Sequence, residues 1–295
     1  MDPVTVFAPA KINVFLAVTG RRKDGYHDLV SVVAPLDFGD TLKFEPDREG
    51  AFSLVSDDSE LPCDDSNLIL KAARLFRERS GWAGGGRFML QKRIPMGAGL
   101  GGGSSDAVAA LKALNTAAGR PLDDRRLAEF SAEIGSDCPL FFISKPTVIR
   151  GRGERVDRLP ETVGSRLSGR SLILFKPAFA ISTPWAYRTL AAAAPGSYLP
   201  AESAEDRLSG WVETADAPAE ALLFNSFESP AFLKFPALPA LLGELRERFG
   251  AAPLMSGSGS ACFAFVPEDV DLGTWTTTIR DAWGDDAFVR KVRVA

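Results

Sequence analysis

The densest chemical signal in the chain is Ile94-Pro95-Met96-Gly97-Ala98-Gly99-Leu100-Gly101-Gly102-Gly103-Ser104-Ser105. Glycine loses more conformational freedom on folding than any other residue, and a turn needs only one or two. Five glycines in seven positions, then two serines and a helix, suit a backbone that must approach a ligand closely. Successive N–H groups at a helix start form an anion site, so the chemistry that fits this run is phosphate binding. Gly97, Gly99 and Gly102 also spell G-x-G-x-x-G. A dinucleotide-binding unit needs a strand after its helix. Here Gly119-Arg120-Pro121 stops the helix and a second helix follows, with Leu127, Phe130 and Ile134 on one face. A dehydrogenase is therefore disfavoured, and the absence of Gly-Lys-Ser/Thr excludes the Walker loop.

A second glycine cluster, Ser256-Gly257-Ser258-Gly259-Ser260, lies between two apolar runs and reads as a strand-to-strand connection. Near the start, Lys11 and Asn13 share one face of a strand by their spacing of two. A lysine there is usually a surface residue, but a polar pair interrupting an apolar strand suits the edge of a site. His27, the only histidine, follows Asp24-Gly25-Tyr26 in what reads as an exposed turn. Asp137 sits in a tight Ser136-Asp137-Cys138-Pro139 connection, where a turn hydrogen bond would be its ordinary use. Asp37-Phe38-Gly39 spells a protein-kinase tripeptide but precedes the glycine run and reads as a β-turn.

These residues need a scaffold, and the chain supplies an ordinary globular one. It has 295 residues, 45% of them apolar, which predicts one large or two medium domains. The first 60 residues are β-rich, with strands at Val4–Phe7, Ile12–Thr19, Leu29–Leu36, Thr41–Phe44 and Phe52–Val55. Turns are predicted at Pro9, Gly20–Gly25, Gly39-Asp40 and Pro46–Gly50. Ser66 is predicted to cap a helix reaching Ser80, and Arg87–Lys92 to form a strand. Helices then alternate with strands to the C-terminus. The polar, glycine-containing stretch 161–169 suggests a boundary, giving domains 1–160 and 161–295. Net charge is −4, so no global positive field favours nucleic acid or an anionic membrane. Cys63, Cys138 and Cys262 lack metal-ligand spacing and read as reduced thiols. No apolar run reaches membrane-span length, and the N-terminus is unlike a secretory signal. A cytoplasmic monomer or homodimer without nucleic-acid or membrane partners is expected.

Taken in order, these motifs resemble the GHMP kinase superfamily. Lys11/Asn13, Pro95–Ser105 and Leu254–Ser260 are similar to its three motifs. Arg21-Arg22-Lys23-Asp24-Gly25-Tyr26-His27, Asn67-Leu68-Ile69 and Gly135-Ser136-Asp137 resemble one branch. That branch phosphorylates the 2-hydroxyl of 4-diphosphocytidyl-2-C-methyl-D-erythritol in non-mevalonate isoprenoid synthesis. The resemblance spans about the whole chain and implies an α+β fold. Its N-terminal domain would be like ribosomal protein S5 domain 2 and its C-terminal domain ferredoxin-like, with the active site in the interdomain cleft. It implies ATP and Mg²⁺ as cofactors. It implies Lys11 and Asp137 as the catalytic pair, and Asn13, Tyr26, His27, Thr183 and Tyr187 as substrate-binding residues. It places Asn67, Lys92, Pro95, Gly97, Gly99, Leu100, Gly101, Gly102, Gly103, Ser104, Ser105, Gly257 and Gly259 at the nucleotide, and leaves metal ligands unassigned. Departures from the family pattern stand at Ala98, Asp106, Ser136, Cys138 and Ser226.

Phosphoryl transfer to an alcohol needs positioning and charge neutralisation more than covalent help. Asp137 suits a base or a positioner for the hydroxyl, and Lys11 suits stabilisation of the developing alkoxide. The rival readings are another small-alcohol kinase of the superfamily, acting on homoserine, mevalonate or a sugar, and a non-catalytic nucleotide-binding protein.

Overall fold

The computed structural model describes residues 2–295. They form two compact units that interleave along the sequence. The first holds the N-terminal segment through Ala10, then Phe38–Met96 and Gly101–Ser144; the second holds Lys11–Asp37, Gly97–Leu100 and Lys145–Ala295. Two long strands, β1 (Val4–Arg21) and β2 (His27–Asp47), contribute a stretch to each unit.

In the first unit, β3 (Phe52–Ser56) pairs in parallel with β4 (Gly85–Gln91). β4 pairs antiparallel with β2 from Thr41↔Gln91 to Asp47↔Gly85. Leu42, Phe44, Phe88 and Leu90 point inward from these strands and are buried. Three helices join them: α1 (Leu68–Ser80), α2 (Gly102–Ala117) and α3 (Asp124–Ile134). α2 packs on both α1 and α3. Its Ala107, Ala110, Leu111 and Leu114 are wholly buried. A 3₁₀ helix, Cys138–Phe142, closes the unit against α2.

The second unit continues with β5 (Thr147–Gly151), β6 (Arg155–Arg158), α4 (Glu161–Gly164), β7 (Ser171–Lys176), α5 (Thr183–Ala192), α6 (Ala201–Glu213) and β8 (Phe224–Asn225). Then follow α7 (Glu228–Lys234), α8 (Ala237–Phe249), β9 (Leu254–Met255), β10 (Cys262–Phe265), α9 (Leu272–Trp283) and β11 (Phe288–Arg293). β5 pairs with the first part of β2 and with β6, while β8 adds in parallel to β1 at Phe15↔Phe224. A four-stranded antiparallel sheet runs β11-β7-β10-β9.

Several sequence expectations need correcting. Pro9 does not break β1; proline's extended φ fits a strand position where no N–H is required. Gly39-Asp40 is no turn, and Asp37-Phe38-Gly39 lies inside β2. Gly39 is there because a Cβ would fall 2.3 Å from the Ala8 carbonyl oxygen and 2.7 Å from the Phe7 ring. Asn67, not Ser66, caps α1, its Oδ1 accepting from Ile69 N at 2.9 Å. β6, β8 and α7 escaped the sequence reading because each is too short for its period to register.

Leu111→Ala in α2 should lower unfolding stability by about 2–5 kcal/mol, since the site is fully packed. Urea unfolding monitored by circular dichroism checks this; a loss under about 1 kcal/mol would contradict a packed α2 face.

Candidate active site

The glycine run forms a tightly held loop. Gly97, Gly99 and Gly101 all take positive φ, at +60°, +76° and +74°. Left-handed residues at alternate positions turn neighbouring N–H groups toward one side, the geometry of an anion nest. Gly101 also caps α2 with no side-chain hydrogen bond, so the first-turn amides of α2 are not capped from within the chain. Gly97, Gly103 and Met96 are exposed, leaving the outer face of the loop accessible. The inner face is fixed: Leu100 O accepts from Lys11 N at 3.0 Å and Ala98 O from Ala261 N at 3.1 Å.

The second glycine cluster is the β9–β10 hairpin connection, and it presses on the first loop. A Cβ on Gly99 would lie 2.2 Å from Ser256 O; one on Gly257 would lie 2.8 Å from Gly99 O. Asn225 holds this hairpin, donating from Nδ2 to Met255 O at 2.6 Å and Gly257 O at 2.8 Å. Glu228 accepts from Met255 N. Gly259 is packed internally, where a Cβ would fall 2.6 Å from Met255 Sδ and 3.1 Å from Ile181.

Lys11 and Asn13 meet at this junction, as their spacing predicted. Lys11 Nζ donates to Asn13 Oδ1 at 2.7 Å and to Gly99 O at 2.9 Å. Asn13 N donates to Ser256 Oγ, and Asn13 Nδ2 to Ser31 Oγ at 2.9 Å. Ser256 Oγ in turn donates to Gly99 O at 3.2 Å. Both Lys11 and Asn13 are 4% exposed. The ammonium is thus buried against a glycine-loop carbonyl, with a defined orientation.

Asp137 lies at the start of the 3₁₀ helix and makes no capping hydrogen bond with its side chain. Its carboxylate is half-buried. The segment that carries it lies against α2. Ser104 in the first turn of α2 stands near the Cys138 thiol, a Cβ on Gly135 falling 3.6 Å from Ser104 Oγ and 3.4 Å from Cys138 Sγ. Lys112, farther along α2, donates to Phe141 O at 2.9 Å. Asp137 therefore stands beside the first turn of the glycine-loop helix. Burial raises the Cys138 thiol to about 12, with Asp137 adding to the shift, so that thiol is inert near neutral pH. Burial likewise raises Cys262.

A third cluster is aromatic. His27 is not an exposed turn residue: it opens β2, half-buried, with Tyr187 stacked on it at 4.9 Å and Tyr198 edge-on at 5.9 Å. Burial lowers its pKa and nearby Arg21 adds to the effect, so the ring is neutral at pH 7. A neutral imidazole offers one donor and one acceptor, and Nε2 is buried without a partner. Tyr26 is 52% exposed, with Arg152 over its ring at 4.8 Å. Thr183 and Tyr187 lie four apart on one face of α5. Thr183 Oγ1 bonds Ser258 Oγ at 2.8 Å, so α5 links this cluster to the second glycine loop.

The remaining predicted residues surround α2. Leu68, next to the α1 cap Asn67, would lie 3.6 Å from a Cβ on Gly103. Asn67 itself is engaged at both ends of its side chain, with Ile69 N and Pro62 O. Pro95 is half-buried on the stem of the loop. The ammonium of Lys92 is buried between Asp40 and Asp106. Gly102 packs against it, a Cβ there falling 3.0 Å from Nζ. Ser105 Oγ is buried without a partner in the first turn of α2. Among the described residues no three Asp, Glu, His or Cys side chains converge as a metal cage. Among the described residues no helix is long and apolar enough to cross a membrane.

Sequence reasoning missed Asp40 and Ser31, and saw Ser256 only as part of its glycine cluster. Asp40 was hidden by an apparent turn, and Ser31 by its ordinary composition. Only the juxtaposition of distant segments reveals them.

Two family models match the chain: GHMP kinases N terminal domain over residues 67–145 and GHMP kinases C terminal over 212–273. A 4-diphosphocytidyl-2-C-methyl-D-erythritol kinase of Methylacidiphilum infernorum is 39% identical over 90% of this chain and 88% of its own. A solved 4-(cytidine 5'-diphospho)-2C-methyl-D-erythritol kinase superposes with a TM-score of 0.77 at 34% identity, covering 99% of this chain and 100% of that one. A homoserine kinase from Cytophaga hutchinsonii has a TM-score of 0.75 at 19% identity, covering 100% of this chain and 95% of that one; it shares the fold.

Gly99→Ala should cut kcat/KM by about 100-fold, because the added methyl forces the loop off Ser256 by an ångström or more. Steady-state kinetics on the variant checks this; activity within about threefold of wild type would contradict the close approach.

Proposed function

This chain belongs to the family of 4-diphosphocytidyl-2-C-methyl-D-erythritol kinases, and from that premise we propose that it transfers the γ-phosphate of ATP to the 2-hydroxyl of 4-diphosphocytidyl-2-C-methyl-D-erythritol. The observation that carries the reading is the Lys11 ammonium held 2.9 Å from the Gly99 carbonyl. It puts a fixed cation beside a phosphate-type loop, which an alcohol kinase needs.

In this reading the backbone amides of Gly97–Gly103 and the hydroxyls of Ser104 and Ser105 receive the ATP phosphates. Prepaid loop geometry matters more here than covalent chemistry, because the transition state is loose and its charge is spread over phosphoryl oxygens. Mg²⁺ neutralises phosphate charge when bound. Asp137 orients the substrate hydroxyl and accepts its proton as the O–P bond forms. Lys11 stabilises the developing alkoxide, and Asn13 fixes the direction of its N–H bonds. Neutral His27 pairs with the edge of the cytosine ring, while Tyr26 and Tyr187 supply ring faces. Thr183 fixes α5, and so Tyr187, against the second loop. Asn67, Lys92 and Pro95 shape the surroundings of the nucleotide.

Asp137→Ala and Lys11→Ala should each lower kcat by about 100- to 10,000-fold with the KM for ATP within about threefold. Near-wild-type turnover by either variant would remove that residue from the mechanism. His27→Ala should raise the KM for the cytidylyl substrate by about 10- to 100-fold and leave the KM for ATP nearly level. Equal rises in both would make His27 structural.

A further inference from the structure

Three charged side chains, none of which touches the reacting groups in the mechanism above, are buried together beneath the glycine loop. Asp40 on β2, Lys92 just after β4 and Asp106 on α2 are 0%, 5% and 4% exposed. Lys92 Nζ bridges the two acids, at 2.5 Å to Asp40 Oδ2 and 2.8 Å to Asp106 Oδ2. The second oxygen of Asp40 accepts from Arg93 N and Ile94 N, the last amides before the loop. Asp106 lies on the helix that leaves the loop. The entering stem is thus bound to Asp40, the leaving stem carries Asp106, and Lys92 joins them. Gly102 packs directly on Lys92 Nζ and Ile94.

The trio is unbalanced. Two carboxylates share one ammonium, so the cluster carries −1 when both are ionised. Burial opposes the charge on Lys92, but Asp106 and Asp40 outweigh it and hold the lysine protonated. Asp106 Oδ1 is buried and has no donor. Such an oxygen is the weakest place in the cluster to keep a negative charge. Burial raises the Asp106 carboxyl to about 7; Lys92 opposes the rise and Asp40 reinforces it. Asp40 and Lys92 bring the charges that act on Asp106; none comes from α1, α3 or the 3₁₀ helix, which pack on α2.

We propose that Asp40, Lys92 and Asp106 are positioning residues for ATP: they join both stems of the glycine loop, and the charge on Asp106 sets whether the phosphates sit above a neutral or an anionic support. Asp106 is five residues from the cap Gly101, or about 7–8 Å along the helix axis. At that range, in a buried setting, one negative charge opposes the favourable field of the helix N-terminus. The sign follows directly. With Asp106 protonated the cluster is neutral and phosphate binding is favoured. As pH rises through 7 the cluster becomes anionic and binding weakens. The same proton also stabilises the fold: the native state binds it more tightly than the unfolded chain, so this contribution is lost as pH rises from about 4 to about 7.

The proposal rests on the ATP-kinase reading, and one experiment separates the two. The KM for ATP is measured from pH 5.5 to 8.5, with saturating cytidylyl substrate, for wild type and Asp106→Asn. ATP's own titration is common to both proteins, so the ratio of their KM values isolates Asp106. The wild-type KM should rise relative to the variant by roughly three- to tenfold across pH 7, while the kcat ratio stays level. Asp106→Ala should reproduce the variant's profile. Parallel KM profiles for wild type and variant overturn the proposal, as does failure of both variants to fold, which would make the charge a requirement of folding. A wild-type protein that neither binds nor turns over ATP at any pH would overturn the kinase reading as well.

Discussion

At Gly99 two stretches of backbone pass so closely that no side chain fits between them. The Ser256 carbonyl occupies the space a Cβ would need, and Gly257 meets the Gly99 carbonyl from the other side. Much of the site geometry depends on this approach. It directs the Gly99 carbonyl toward Lys11, and lets Ser256 Oγ bind both Asn13 N and Gly99 O. Two glycine clusters separated by more than 150 residues therefore act as one rigid support, with Asn225 and Glu228 holding the second from behind.

Positioning in the first unit follows a different principle. There α2 is the organising element. Its first turn opens from the glycine loop, Lys112 fixes the segment bearing Asp137, and Asp106 accepts from Lys92 beneath. Buried charges of this kind are poor sources of net stability compared with apolar packing. Their use is directional: the bonds from Lys92 to Asp40 and Asp106 fix where a loop stem starts and a helix begins.

The fold was partly legible in the sequence. The helix faces, the β9–β10 connection and the strand bearing Lys11 and Asn13 followed from period and spacing. Where the reading failed, local propensity had lost to tertiary contact. Gly39-Asp40 carries the residues of a turn, yet glycine is there for a close backbone crossing and Asp40 for two amides more than fifty residues away. His27 follows a real turn, but its environment is made by Tyr187 and Tyr198, which no local pattern connects to it. The departure at Asp106 was visible as a residue; its meaning required Asp40 and Lys92 to be seen around it. The candidate site was therefore legible as motifs and illegible as a network.

The most direct test of the account is ADP release by the purified protein with ATP and Mg²⁺, comparing 4-diphosphocytidyl-2-C-methyl-D-erythritol with homoserine, mevalonate and galactose. Turnover with the cytidylyl substrate alone is the predicted result, since neutral His27 and the tyrosines beside it suit a pyrimidine ring. Turnover with one of the other alcohols and none with the cytidylyl substrate would contradict it, keeping the phosphate loop and discarding the role given to the aromatic cluster.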